Sequence, residues 1–297
     1  MKRILVIGRT GQLAQSLAEC AAEFPDFAID FAARPAVNLN RIDEACAYLQ
    51  SRAFDVLVNA AAYNDVDGAE RDPAAAFAIN AEAPGRLAAL AAGRGAPFLH
   101  FSTDYVFPGG AAPYRESDAT NPLGRYGESK LEGERRVAAA NPRHLVFRTA
   151  WIFSPFAKSF LKTVVTRAAE QDEMRIVADQ RSSPTGALDL ARATLQVIAT
   201  LTPDDSRYGV YHMAGATPAS RFELAEAIIA ASGALGGPSC RLIPVSASEF
   251  PTVAKRPGDS SLDSSLLTEM FGVKVPGYET SLRTVVARIL TGQTGKA

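Results

Sequence analysis

Ile4-Leu5-Val6-Ile7 is an uninterrupted apolar run closed by Gly8, the pattern of a strand buried on both faces of a parallel sheet. From Gln12 the period changes. Leu13, Leu17 and Ala21 recur every four residues, which predicts a helix ending near Phe24-Pro25, where proline cannot continue it. The alternation then repeats. Strand-like runs at 27–32, 55–59, 97–102 and 145–149 are separated by a helix bearing Ile42, Ala45, Cys46 and Leu49 with Asn40 as its cap, an alanine-rich helical stretch over 72–92, and a helix over about 125–139. Strands alternating with helices predict an α/β fold on a doubly wound parallel sheet.

After Trp151 the alternation breaks, and prolines and glycines recur from Pro155 to Pro238. A smaller second lobe of mixed α/β character is expected there. Its predicted helices cover 156–171, 188–201, 221–231 and 281–290, and the polar tail 291–297 is expected to fray.

Composition narrows the function classes. Of the 297 residues 47% are hydrophobic and 21% charged, which sets the chain apart from disordered, collagenous and coiled-coil sequences. With 31 Lys plus Arg against 32 Asp plus Glu, the net charge of −1 gives no overall field for a phosphate backbone, so no nucleic-acid partner is expected. Cys20, Cys46 and Cys240 are too few and too scattered for a disulfide framework or a zinc site, which fits a reducing cytoplasm. The first apolar run stops at Gly8-Arg9, before the hydrophobic core of a signal peptide forms, and no export is expected. No stretch reaches the ~18–20 apolar residues of a membrane span, so a soluble protein without a membrane partner is expected.

The chemistry concentrates at three places. Gly8-Arg9-Thr10-Gly11-Gln12-Leu13-Ala14 is a G-x-x-G-x-x-A turn between the first strand and the first helix, the setting in which backbone N–H groups at a helix N-terminus receive a dinucleotide diphosphate. The second strand exits through Ala32-Ala33-Arg34, and an arginine without a neighbouring acid suits a ribose 2′-phosphate, so NADPH is expected, with NADH also admitted. Tyr126 and Lys130 lie four residues apart on one helix face, where an adjacent cation is expected to lower the phenol's pKa from ~10. Thr103, at the carboxyl end of the fourth strand, completes a candidate proton-relay triad.

These motifs, with Asn59-Ala60-Ala61-Ala62-Tyr63, Val66-Asp67-Gly68-Ala69-Glu70, Ser102-Thr103-Asp104-Tyr105-Val106-Phe107, Arg148-Thr149-Ala150-Trp151, Asp179-Gln180, Pro184-Thr185 and Arg256-Pro257 leading to Ser260-Ser261-Leu262-Asp263, run nearly the whole chain. Together they resemble the extended short-chain dehydrogenase/reductases, and within them the dTDP-4-dehydrorhamnose reductase family. The resemblance implies an NADP-binding Rossmann domain over 1–150 plus about 186–216, and a substrate-binding lobe over about 151–185 and 217–297. It implies NADPH-dependent reduction of the C4 keto group of dTDP-6-deoxy-L-lyxo-4-hexulose, a dTDP-linked 4-keto-6-deoxy sugar, to dTDP-L-rhamnose. In that scheme Tyr126 gives the proton, Lys130 tunes it and binds the nicotinamide ribose, and Thr103 orients the C4 oxygen. Gly8, Thr10, Gly11, Gln12 and Leu13 meet the diphosphate, Asn38 and Leu39 lie near adenine, and Ala60, Ala62, Tyr63 and Asn64 line the cofactor. Thr103, Asp104 and Trp151 contact the nucleotide sugar, and Arg256 pairs its diphosphate.

Three departures bear on these expectations. Where some members carry carboxylates tied to metal-bridged dimers, this chain has Ser16 and Leu188, so no metal is expected and the assembly stays open between monomer and homodimer. Ala33 and Asn38 replace an acid and an aspartate of the usual pattern. His100, His144 and His212 follow no ligand spacing and read as structural histidines. Three other readings compete. A 4,6-dehydratase is disfavoured by Tyr105, which stands where those enzymes carry a glutamate, and the downstream motifs resemble an epimerase less. The regulatory subunit of methionine adenosyltransferase also resembles these reductases, so a non-catalytic NADP-binding role is the alternative from a different class.

Overall fold

The computed structural model describes residues 1–202 and 204–293. Its main sheet is formed by β1 (Lys2–Ile7), β2 (Phe27–Ala32), β3 (Val56–Asn59), β4 (Phe98–Thr103), β5 (His144–Thr149) and β6 (Gly209–His212). All neighbours are parallel, in the order β6-β5-β4-β3-β1-β2. The chain first grows the sheet from β1 to β2, then returns to the other side of β1 for β3. That reversal leaves a crevice at the carboxyl ends of β1 and β3, the usual ligand site of doubly wound sheets.

Alternation along each strand divides the core into two layers. Ile4, Val6, Val58, Leu99 and Phe147 pack on one side with Leu13, Leu17, Leu195 and Ile198 from the helices Gln12–Cys20 and Ala187–Thr200. Leu5, Ile7, Leu57, Phe98 and Val146 pack on the other with Leu49, Leu87 and Val137. Burying each such side chain contributes ~1.5–3 kcal/mol, so the strands that carry the site are also the most strongly anchored.

The helices begin close to where the periodicity places them, with local corrections. Helix Gln12–Cys20 tightens into a 3₁₀ turn, Ala21–Glu23, before Pro25. Asn40 is not the cap of helix Ile42–Gln50. Asn38 accepts from the Asn40 N–H at 3.1 Å and opens a 3₁₀ turn, Leu39–Arg41, so the capping falls two residues earlier. The stretch 72–92 is divided by Asp72, which caps Pro73–Phe77, and by a wide turn at Ala78–Glu82 before Ala83–Ala92.

Beyond Trp151 the structure departs further from periodicity. The helix expected over 156–171 shrinks to Phe160–Ala168, because Ala157 adopts φ +49° and Ser159 caps the helix through the Lys162 N–H. Three short pairings went unforeseen: Glu173–Val177 with Arg241–Val245, Arg181–Ser182 with Ala219–Ser220, and Ile152–Phe153 with Thr185–Gly186. Leu161, Val164, Met174, Leu224, Ile228, Leu282 and Val286 form this region's own core. An unforeseen helix, Ser265–Phe271, returns to the main sheet, where Leu267 and Phe271 join the first core layer. Residues 291–293 do not fray: they close helix Tyr278–Leu290 through Thr291 N–H to Ala287 O and Gln293 N–H to Arg288 O around Gly292 at φ +70°. The rest of the expected frayed tail, 294–297, lies outside the described residues.

Candidate active site

The turn after β1 has the shape a diphosphate needs. Gly8 adopts φ +110°, a left-handed conformation that a side chain would strain, and a Cβ there would stand 3.5 Å from the Ala60 backbone. Gly11 caps helix Gln12–Cys20 without a side-chain hydrogen bond, and nothing lies within 4 Å of where its Cβ would be. The first N–H groups of the helix therefore face an open cradle with no acidic residue in the first turn, an electropositive end fitted to an anion. The Gln12 side chain faces the other lobe, donating to Ile152 O at 3.2 Å and accepting from Ser154 Oγ at 2.8 Å.

A cavity of about 470 Å³ runs from this cradle across the ends of β3 and β4. It brings together Gly11, Gln12, Leu13, Ala60, Ala62 and Asn64 from the cofactor set with Thr103, Asp104, Tyr126, Lys130 and Trp151 from the catalytic and substrate sets. Gly8, Thr10, Arg34, Asn38, Leu39, Tyr63 and Arg256 lie outside its walls. Arg34 is exposed just past the end of β2, and Arg9, which sequence reasoning passed over, is exposed beside it past the end of β1; neither has an ion-pair partner among the described residues. Asn38 is engaged in its 3₁₀ turn, and Leu39 packs against the second core layer. Tyr63 is held by Asn80, whose amide accepts from Tyr63 N–H at 2.8 Å and donates to its carbonyl at 3.0 Å.

Thr103 caps the 3₁₀ turn Asp104–Val106 by accepting from Tyr105 N–H, donates to Asp104 Oδ1 at 3.1 Å and faces the Tyr126 phenol. Tyr126 is the second residue of the helix Arg125–Ala140, whose first N–H donates to Glu70 Oε1 at 2.7 Å, so the acid of the Val66-Asp67-Gly68-Ala69-Glu70 motif caps the helix that carries Tyr126 and Lys130. The expected lowering of the phenol's pKa is not what this arrangement produces. Burial pushes Tyr126 well above its ordinary value, with Asp104 and Tyr105 adding to the rise and the hydrogen bond to Thr103 opposing it. Lys130 does not offset the rise because its ammonium turns inward, donating to Phe101 O at 2.5 Å beside His100 Nε2 at 3.5 Å. Burial lowers Lys130 to about 8 against the opposing charge of Glu134. The phenol is thus held in its protonated form at neutral pH.

Asp104 is buried and accepts from Ser260 Oγ at 2.5 Å and Ser182 Oγ at 2.8 Å, so its carboxylate binds the two lobes together at the cavity wall. Burial raises its pKa, and these hydroxyls and Arg221 hold it down. Trp151 sits at φ +41° with its indole N–H buried and unpartnered, between the first cavity and a second of about 450 Å³. Lys158, Arg221 and Arg256 line the second cavity. The Arg221 guanidinium lies 3.6 Å over the Trp151 ring, hydrogen-bonds Tyr105 and attracts the Asp104 carboxylate without a close ion pair among the described residues, while Arg256 pairs with Asp67 at 3.0 Å and leaves its Nε buried and unpartnered. Three cations beside an aromatic wall suit a nucleoside diphosphate.

Comparison with known proteins places the chain. Residues 1–291 match the family model for the RmlD substrate binding domain. A dTDP-4-dehydrorhamnose reductase of Sinorhizobium fredii is 38% identical over 291 residues, 97% of this chain and 98% of that protein. The chain belongs to the dTDP-4-dehydrorhamnose reductase family. A second reductase of that name, from Burkholderia thailandensis, is 39% identical over 97% of this chain and 99% of its own. Among solved structures, the dTDP-4-dehydrorhamnose reductase of Bacillus anthracis in complex with NADP superposes with a TM-score of 0.88 at 30% identity, over 96% of this chain and 99% of that one.

Within this family frame, sequence reasoning missed Arg221, Lys158, Asn80 and Glu134. Arg221 follows the capping Ser220, and nothing in its spacing distinguishes it from a surface arginine at a helix start. Glu134 did carry a signal, four residues after Lys130 and eight after Tyr126 on the same helix face. The histidine reading gains detail as well: His100 is buried, its ring joins Asn59 at 3.2 Å and it adjoins Lys130. Ser16 and Leu188 are both buried within the packing of their helices.

Proposed function

We propose that this chain reduces the C4 keto group of dTDP-6-deoxy-L-lyxo-4-hexulose to dTDP-L-rhamnose with NADPH. One observation carries the reading: Thr103, Tyr126 and Lys130 converge on a cavity that joins an anion cradle at Gly11 to a cationic pocket across Trp151. The cradle's free N–H groups and open Cβ space fit a dinucleotide, with Arg9 and Arg34 beyond it for a 2′-phosphate. Gly8, Thr10, Gly11, Gln12 and Leu13 would hold NADPH there, and the cofactor would supply the hydride for C4. Tyr126 transfers its phenolic proton to the C4 oxygen as that oxygen gains charge, and Thr103 holds the oxygen in line. Lys130 would hold the nicotinamide ribose. Lys158, Arg221 and Arg256 grip the substrate diphosphate against Trp151.

The division of labour we assign follows the sequence boundaries: 1–150 with about 186–216 for the cofactor, 151–185 and 217–297 for the nucleotide sugar. All three cysteines are free, which supports a cytoplasmic site of action. No helix among the described residues is long and apolar enough to cross a membrane. The deciding experiment incubates the purified chain alone with the 4-keto sugar nucleotide and follows NADPH and NADH oxidation separately, with and without EDTA. NADPH oxidation with formation of dTDP-L-rhamnose, unaffected by EDTA, is expected. Cofactor binding without oxidation, with this and related 4-keto sugars, overturns the assignment in favour of a regulatory role.

A further inference from the structure

Glu134 lies one helical turn beyond Lys130 and two beyond Tyr126, and is 5% exposed. Its carboxylate accepts from Ser102 Oγ at 2.5 Å and from Arg148 Nε and Nη2 at 3.0 and 2.7 Å. Ser102 immediately precedes Thr103 on β4, and Arg148 immediately precedes Thr149, which lines the first cavity, on β5. One carboxylate therefore ties the helix bearing the proton donor to the ends of both strands beneath the cavity. We propose that Glu134 is a positioning residue of the reductase site: through Ser102 and Arg148 it fixes the Tyr126 helix against Thr103, and it supplies the counter-charge that keeps Lys130 an ammonium.

The surroundings of Lys130 leave this task to Glu134. From β4 come the Phe101 carbonyl and His100, whose burial and proximity to Lys130 keep its ring neutral. On its own helix stand Tyr126, protonated through the neutral range, and Glu134. From β5, Arg148 pairs with Glu134 on the strand side and lies over the Phe107 ring at 5.1 Å, while Glu134 stands one helical turn from Lys130. Burial drives Lys130 toward the neutral amine, and Glu134 is the anion that opposes it. A buried Glu–Arg pair contributes little net stability on its own, since desolvating two charges offsets their attraction. Its placement under the catalytic helix is better explained by geometry and charge than by stability.

This inference rests on the proposed proton transfer, so the test separates the two. In the cofactor-free protein with ¹³C-labelled lysine side chains, NMR titration follows Lys130, its signal assigned by loss in Lys130→Met. Glu134→Gln keeps the shape and removes the charge. The Lys130 midpoint is expected to fall by at least about half a pH unit, the alkaline limb of the kcat profile to fall with it, and KM for NADPH to change less than about threefold. Glu134→Asp, which keeps the charge, is expected to restore most of the midpoint. If Glu134→Gln does not fold because Arg148 is left unpaired, Glu134→Gln/Arg148→Gln removes both charges and is expected to show a downward shift smaller than that of Glu134→Gln, because loss of the Arg148 cation acts in the opposite direction. An unmoved midpoint in the folded variant overturns the proposal even where turnover is lost, because packing alone then accounts for Glu134. Absence of turnover in the wild type, with the midpoint shift present, overturns the reductase reading and leaves the charge role standing.

Discussion

The two walls of the site are built in opposite ways. On the sheet side every group assigned to the chemistry sits on a regular element: Thr103 ends β4, and Tyr126 and Lys130 share one helix face. On the lobe side Lys158 and Arg256 lie outside any helix or strand, and Arg221 is the first residue of its helix. The cations differ in the same sense, Lys130 being buried and Arg221 half-buried. Lys130 is fixed by a carbonyl and a histidine ring, whereas Arg221 lies on the faces of Trp151 and Phe160 with the Tyr105 hydroxyl beside it. Proton transfer demands distances held to fractions of an ångström, which packed strands and helices provide. Holding a diphosphate demands charge at adjustable range, which loops and long side chains provide. The contrast predicts that substitutions on one wall act on kcat and those on the other on KM.

The largest break comes at Tyr126. Tyr126→Phe removes the proton donor while leaving the ring's edge-on contact with Tyr105 (5.9 Å between centroids) and both cavities intact. A loss of ~10²–10⁴-fold in kcat is expected with KM for the sugar nucleotide nearly unchanged, since general acid catalysis contributes in that range. Steady-state kinetics on NADPH oxidation check it. A residual kcat within about tenfold of the wild type would assign the proton to another group, with Thr103 and water the first candidates.

On the opposite wall, Arg221→Met keeps an unbranched chain over Trp151 and removes the charge. The expected result is a ~10–100-fold rise in KM for the sugar nucleotide, with kcat within a few-fold, as for loss of one charged hydrogen-bonding partner. Calorimetric titration with dTDP alone should weaken by a similar factor. A fall in kcat at constant KM would place Arg221 among the groups that shape the transition state and erase the contrast between the walls.

How much of this was legible in the sequence follows the same division. The sheet side could be read because burial on both faces writes itself as apolar runs such as Ile4 to Ile7, and because the glycine turn and the Tyr126–Lys130 spacing are local patterns. The lobe could not be read in that way. Several of its strands, such as Arg181–Ser182 and Thr185–Gly186, are two residues long and leave no period. Asp104 finds Ser182 and Ser260 across 78 and 156 residues of sequence, and no spacing rule reaches so far. Even on the sheet side, side-chain direction escaped: the spacing that put Lys130 on the face of Tyr126 did not reveal that its ammonium turns toward Phe101 and His100. Position on a helix is periodic, while the destination of a long flexible side chain is set by tertiary partners.

The smallest effect sharpens the comparison within the sheet side itself. Arg34 is attached to a regular element, past the end of β2, yet it is exposed and has no ion-pair partner among the described residues, so it should behave like the lobe's cations and not like its own neighbours. Arg34→Ala is expected to raise KM for NADPH by roughly 3–10-fold, leave KM for NADH within about twofold and leave kcat unaltered, because a solvated guanidinium facing a 2′-phosphate contributes only ~1 kcal/mol. Raising the salt concentration should shrink the difference between wild type and variant, since screening weakens the wild-type contact and the variant has no charge there to screen. Equal changes for both cofactors would remove the 2′-phosphate from Arg34 and leave Arg9, on the neighbouring strand end, as the residue to substitute next. Either result bears on the same rule: a side chain's solvent exposure, more than the regularity of the element carrying it, decides whether it acts on binding or on chemistry.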